Sequence, residues 1–271
     1  MLTGFYIFIN QSRLDHVTSH VLARFASFTL LVLFAFLQNT RKEKNVLRFL
    51  RYFFPLLLLG YFYHETDYLN NLIFTKDLDT IISKLEMLIF GMQPSLQFAD
   101  LWHSSWFAEI MYFGYFSYYL MLAGIPLFFY IRKQFKSSLQ TIFIIVTSLL
   151  IFYSVFIIFP VAGPQFYFTH QPDLPRGFFF GSLMRFIQDS GEAPTAAFPS
   201  SHVSICLILL WICYRSQRIL FWWLIPAAIV LILSTVYIRA HYAVDVLAAF
   251  LVTPVVYYIS FGLSQKLMAK M

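Results

Sequence analysis

"APTAAFPSSHVSICLILLWICY", Ala193 to Tyr214, enters an apolar helix through Pro199, Ser200, Ser201 and His202. An ordinary membrane span opens on an anchor and then stays apolar, whereas this one places two hydroxyls and an imidazole at its mouth. Ionisable groups at or near membrane depth are expensive, so each is a candidate for function.

Working outward, the whole chain is 59% hydrophobic and 20% aromatic with 12% charged residues, whereas soluble domains carry roughly 25% charged residues. This excludes a soluble domain and predicts an all-α, polytopic integral membrane helix bundle. Crossing a hydrocarbon core about 30 Å thick takes about 20 apolar residues. Seven windows qualify, near 20–38, 47–64, 107–131, 139–160, 200–214, 219–238 and 242–262; the fifth is short, and Arg48 and Arg51 interrupt the start of the second. The remaining stretch, about 65–105, carries Glu65, Asp67, Asp77, Asp79, Glu86 and Asp100 beside "IISKLEMLIFGM" and reads as an interfacial helix.

Lys and Arg concentrate in cytoplasmic loops. Arg41, Lys42, Lys44, Arg48 and Arg51 separate spans one and two; Arg132, Lys133 and Lys136 separate three and four; Arg215 and Arg218 separate five and six; Lys266 and Lys270 follow seven. All four clusters fall on one face, which predicts a cytoplasmic C-terminus, an outer N-terminus and long outer loops, in a plasma or inner membrane. The net charge of +6 is mostly this bias, and no nucleic-acid partner is expected. "MLTGFYIFINQSR" lacks the basic start and the length of a cleavable signal peptide. Cys206 and Cys213 stand seven residues apart on one helix, roughly 10 Å along its axis and too far to bridge. No repeat or linker divides the chain.

The polar mouth has a counterpart in "LSTVYIRAHYAVDVLAAF", Leu233 to Phe250, where His241 and Asp245 are four residues apart. On a helix that spacing stacks them, so the carboxylate can orient one ring nitrogen and leave the other basic. His202, His241 and Asp245 are thereby expected at one outer boundary. Such a set suits phosphoryl transfer from a lipid headgroup, one imidazole attacking phosphorus and the other protonating the leaving oxygen. Ser200 and Ser201 stand where helix N–H groups and the dipole favour an anion, with Pro199 suited to the first turn.

"FPSSH" at 198–202 and "STVYIRAHYAVD" at 234–245 resemble the second and third signature motifs of the type 2 phosphatidic acid phosphatase superfamily. That superfamily includes lipid phosphate phosphatases, glucose-6-phosphatase, undecaprenyl diphosphate phosphatases and lipid phosphotransferases. The resemblance covers about 106–271 and implies a six-helix phosphatase core over 46–271, with residues 1–45 adding an N-terminal transmembrane helix. It implies His241 as nucleophile, Asp245 as its orienting partner and His202 as general acid, with no metal and no other cofactor. There are departures: Ser234 is followed by Thr235 rather than Arg, Ser201 replaces a glycine, and the first motif is not recognisable in 161–197. The missing arginine, with "FPVAGPQFYF" at 159–168, looks more like the inositol phosphorylceramide synthase branch.

Arg239, Arg176 and Arg185 are the candidates to replace the missing phosphate-binding cations. A headgroup snorkel explains Arg239 equally well and is the preferred account of Arg176 and Arg185. His202, His241 and Asp245 would also make up a zinc set, the less favoured reading. Trp102, Trp106, Trp222 and Trp223 read as interface-belt residues. His64, Glu65, Asp67 and His170 read as wet-loop residues rather than pocket residues. Tyr112, Tyr115, Tyr118 and Tyr119 either line a polar cleft or, preferably, pack between helices. The expected activity is hydrolysis of a lipid phosphate monoester or diphosphate through a phosphohistidine, with a bell-shaped pH profile. The alternatives are phosphotransfer from a lipid to an alcohol acceptor, or a non-catalytic transporter or scaffold.

Overall fold

The computed structural model describes residues 2–10, 12, 14–37, 45–170 and 173–269. Arg41, Lys42, Lys44 and Lys270, which contribute to the charge bias, lie outside these. Twelve helices and no strands occur among the described residues: α1 (Leu2–Ile9), α2 (Val17–Leu37), α3 (Asn45–Leu69), α4 (Asp79–Phe90), α5 (Pro94–Leu101), α6 (Ser105–Ile131), α7 (Phe135–Ile158), α8 (Pro164–Tyr167), α9 (Phe179–Gly191), α10 (Ser201–Ser216), α11 (Arg218–Tyr237) and α12 (Ala243–Met268).

Six of these, α2, α3, α6, α7, α11 and α12, are long and apolar enough to cross a membrane. The seventh expected span is α10, whose 16 residues extend only about 24 Å at 1.5 Å per residue. It can be short because α6, α7, α11 and α12 all pack against it. A backbone that leaves the helix early is tolerated at membrane depth when protein surrounds it. The turns Arg132–Gln134 and Gln217 are too short to let their helices diverge, so α6 and α7, and α10 and α11, lie side by side. Phe129, Ile145, Phe152, Ile205, Leu209 and Leu231 meet in the shared core. Hydroxyl and amide pairs, Ser148 with Ser260 at 3.0 Å and Gln140 with Ser264 at 3.1 Å, tie α7 to α12.

α2 lies outside this core, none of its apolar window being buried. Arg24 attaches it to α3 through both carboxylate oxygens of Glu65, which also accepts from Tyr61 at 3.0 Å. This corrects the wet-loop expectation for His64, Glu65 and Asp67: all three belong to α3, and Glu65 is buried. An acidic residue late in an apolar window is kept inside by a guanidinium supplied from another helix. α4 reverses the usual polarity of a surface helix, turning Ile81, Leu85, Leu88 and Ile89 outward and Asp79 and Glu86 inward.

α6 and α11 pack closely at Gly114, where a Cβ would lie 2.6–2.9 Å from Val230. Gly114→Val is expected to cost ~1–3 kcal/mol through overpacking and to lower the thermal unfolding temperature in detergent. Gly124→Ala, on the same helix with open space around it, should not. Equal melting of the two variants would refute the close packing.

Candidate active site

Three irregular segments meet at one end of the bundle and are stitched by backbone hydrogen bonds. Ala197 N–H donates to Val161 at 3.0 Å, Gln165 N–H to Arg239 at 3.0 Å, and Ser200 N–H to the Asp245 carbonyl at 3.2 Å. The seam is tight: at Gly163, φ is +100°, and a Cβ would meet the Ala240 carbonyl at 3.0 Å and Ala197 at 3.2 Å. Ala196 and Arg239 also adopt positive φ, 69° and 64°, a conformation that costs non-glycine residues energy and clusters at functional sites. "FPVAGPQFYF" thus forms one side of the seam that carries the imidazoles.

His202 sits in the first turn of α10, behind Ser200. The Ser200 hydroxyl accepts the Val203 N–H at 3.3 Å and caps the helix. Pro199 consequently stands before the cap and not in the first turn, a correction to the sequence expectation. Ser200 is fully buried and Ser201 nearly so, so Ser200 serves the helix before any ligand.

His241 and Asp245 do not share a helix, because α12 begins only at Ala243. Arg239 turns the chain out of α11, and the His241 N–H donates back to Thr235 at 3.0 Å. The His241 ring donates Nδ1–H to the Ala197 carbonyl at 2.7 Å, while Asp245 Oδ2 stands 3.5 Å from the same nitrogen. Asp245 Oδ2 instead accepts the Tyr242 N–H at 2.7 Å. The sequence expectation of a carboxylate-oriented imidazole is therefore corrected: a carbonyl sets the tautomer, and the carboxylate caps α12 and approaches the ring from close by.

With Nδ1 protonated, His241 Nε2 carries the lone pair, and His202 Nδ1 lies 3.3 Å from it. The two rings stand at 64° with centroids 5.4 Å apart. Tyr115 and Tyr118 pack on His202 at 4.8 and 4.4 Å between centroids. Burial pushes His241 down to about 4, against the opposing pull of the Ala197 carbonyl and of Glu192. A group with a folded pKa depressed this way is neutral at ordinary pH. Asp245 and His202 contact opposite nitrogens of His241, so these three side chains do not converge on one point as zinc ligands would. No cluster of three His, Cys, Asp or Glu suited to a metal occurs among the described residues.

A cleft of about 460 Å³ reaches the start of the turn that carries His241, where Ile238 and Arg239 line it together with Tyr112, Gln165, Arg176, Arg185 and Gln188, among others. The three sequence-predicted arginines therefore share one cavity. Arg239 is buried, 3.8 Å from Asp100, whereas Arg185 donates to the Arg176 carbonyl at 2.5 Å. Of the tyrosines, Tyr112 borders the cleft, and Tyr115 and Tyr118 are packing residues whose partner is His202 itself.

Several acidic residues of the site region were not singled out by sequence. Glu109, on α6, accepts the N–H groups of Phe178, Phe180 and Gly181 at 2.6–3.1 Å and caps α9. Glu192 accepts from Tyr115, Gln165 and Gln188. Asp79 accepts from Ala162, Gly163 and Tyr242, and Glu86 from Ala243 and Ser95. Burial raises Glu86 to about 7. The available signal was Asp79 and Glu86 seven residues apart, and so on one side of a helix that also carries Ile81, Ile82, Leu85, Leu88 and Ile89. The Ala197 carbonyl, being backbone, leaves no trace in residue identity.

A profile of the PAP2 superfamily matches residues 80–259. The match begins upstream of the 106–271 region on which the sequence resemblance rests, and so takes in α5 and nearly all of α4. Searches among curated proteins and among solved structures gave no match. The matched stretch is more than half of the chain and contains both imidazoles, Asp245 and the arginine cleft, and the chain is therefore an integral membrane protein belonging to the PAP2 superfamily, whose members are phosphoesterases or phosphotransferases.

Proposed function

We propose that the protein is a lipid phosphatase that hydrolyses a lipid phosphate monoester or diphosphate through a phosphohistidine on His241. The observation that carries this reading is the 3.3 Å approach of His202 Nδ1 to His241 Nε2, with the other His241 nitrogen held by Ala197. A phosphoryl group reaching His241 Nε2 would displace the direct contact with His202, meeting a lone pair with a proton donor close by. Nε2 attacks phosphorus, the bond to the leaving oxygen breaks, and protonated His202 delivers a proton to that oxygen. Water then attacks the phosphohistidine, His202 accepts its proton, and the P–N bond breaks to release phosphate.

Arg239, with Arg176 and Arg185 across the cleft, supplies positive charge for the phosphoryl oxygens. Ser201, in the first turn of α10 beside His202, would add helix-terminal N–H groups that favour an anion. The charge bias supports an extracytoplasmic position for this end of the bundle and a cytoplasmic C-terminus, in what we take to be a plasma or inner membrane. In this reading, residues 1–45 are an addition to a six-helix core.

Phosphotransfer to an alcohol, in the manner of inositol phosphorylceramide synthase, is the second reading. It is favoured by Gln165 and Gln188 in the cleft wall, amides able to hold a hydroxyl acceptor where a hydrolase needs only water.

Detergent-purified protein should release phosphate from a lipid phosphate panel in the presence of chelator, and His241→Ala should abolish release. No release, but a new phosphorylated lipid in the mass spectrum once an alcohol is supplied, would replace hydrolysis by phosphotransfer. If wild type and His241→Ala behave alike in both assays, the enzymatic reading fails. Arg239→Ala should lose ~1.5–3 kcal/mol of substrate binding, about 10–160-fold in KM, and an unchanged KM would remove Arg239 from the site. The attacking imidazole must be neutral, so kcat/KM is lost as pH falls through the His241 pKa. The acid limb, corrected for substrate ionisation, should lie near the free-enzyme value of about 4. A limb at the ordinary imidazole value of about 6.5 would contradict the buried, carbonyl-held nucleophile.

A further inference from the structure

Asp79 and Glu86 are two helical turns apart, so both carboxylates leave α4 on the same side. Both residues have 0% exposure. Asp79 Oδ2 accepts the Ala162 N–H at 2.7 Å, and Oδ1 accepts the Gly163 N–H at 2.8 Å and the Tyr242 hydroxyl at 3.0 Å. Glu86 Oε1 accepts the Ala243 N–H at 2.6 Å, and Oε2 accepts the Ser95 hydroxyl at 3.1 Å. The two residues that follow His241 are thus each tied to α4.

A second route leads from Asp79 to the same ring. The Ala162 and Gly163 amides that it holds adjoin Val161, whose carbonyl accepts the Ala197 N–H at 3.0 Å; the Ala197 carbonyl in turn accepts His241 Nδ1–H at 2.7 Å. Asp79 therefore bears on His241 both through the adjoining Tyr242 and through the carbonyl that selects its tautomer. Glu86 fixes where α12 starts, and with it the end of the 238–242 turn.

We infer that Asp79 and Glu86 are positioning residues for His241, and that α4 is a splint holding the imidazole with Nε2 aimed at the incoming phosphorus. The role rests on the reading of His241 as nucleophile. Neither carboxylate touches the reacting atoms. Their contribution is to kcat, since misplacing a reacting group by about 1 Å can cost about 100-fold.

The test uses full-length protein in detergent carrying Asp79→Asn, Glu86→Gln or Tyr242→Phe, with Lys84→Ala on the exposed side of α4 as control. Two quantities are read: steady-state turnover of the lipid phosphate that wild type cleaves, and the rate at which diethyl pyrocarbonate modifies His241, followed by mass spectrometry. Asp79→Asn and Glu86→Gln are expected to lower kcat by about 10–100-fold with KM unchanged, and to speed modification of His241; Lys84→Ala should do neither. Tyr242→Phe removes one donor from Asp79 and should shift both readouts in the same direction by less. Wild-type kcat and wild-type modification rates in Asp79→Asn and Glu86→Gln would overturn the inference. If those two proteins cannot be purified folded, unchanged values in Tyr242→Phe overturn it instead. The modification rate is independent of turnover. If His241→Ala retains activity, the nucleophile reading falls, while faster modification in the α4 variants would still establish the splint.

Discussion

Every N–H that leaves regular helix at the buried end of this bundle needs an acceptor. An amide stranded without one in apolar surroundings costs several kcal/mol, on the order of 2–7 by transfer measurements. Segments 159–163, 192–200 and 238–242 are irregular, partly buried and joined by only a few backbone hydrogen bonds. Side-chain carboxylates fill the deficit: Asp79 for Ala162 and Gly163, Asp245 for Tyr242, Glu86 for Ala243, and Glu109 for the start of α9. Each acid comes from a helix and serves a neighbouring segment or its own helix start. The position of the seam is thereby transmitted to the rigid bundle.

The chemistry of the imidazole pair depends on this arrangement. Because a neutral carbonyl rather than a fully engaged carboxylate takes His241 Nδ1–H, the ring acquires a defined tautomer without being driven towards the imidazolium form. Burial then keeps it neutral. His202 is held by a different device, ring packing against Tyr115 and Tyr118 at the capped start of α10. One histidine is thus located by hydrogen bonds and the other by aromatic faces. The short α10 brings them together by ending its helix inside the protein instead of at its surface.

The seven expected spans appear as seven helices because span formation is local: an apolar run of sufficient length must become helix in lipid whatever its neighbours do. Pairings across the chain were not legible in the same way. Glu65 reads in sequence like a loop acid, and only Arg24, forty-one residues earlier, makes it a buried helical one. Asp245 reads like the partner of the histidine four positions before it, but the helix starts between them and the carboxylate turns to the Tyr242 amide. Asp79 and Glu86 read as charges on a surface segment, whereas they point inward and the apolar side faces out.

By itself, the sequence determined the class of molecule, the number of apolar helices, and the residue types gathered at one end: two histidines, an aspartate and three arginines. Composition and short motifs encode these because each depends on a single run of chain meeting lipid or phosphate. Tertiary structure decided which nitrogen of His241 is free, which acceptor holds the other, and which helix keeps the turn in place. Those depend on distances between segments far apart in sequence, and one of the partners, the Ala197 carbonyl, belongs to the backbone that every residue shares.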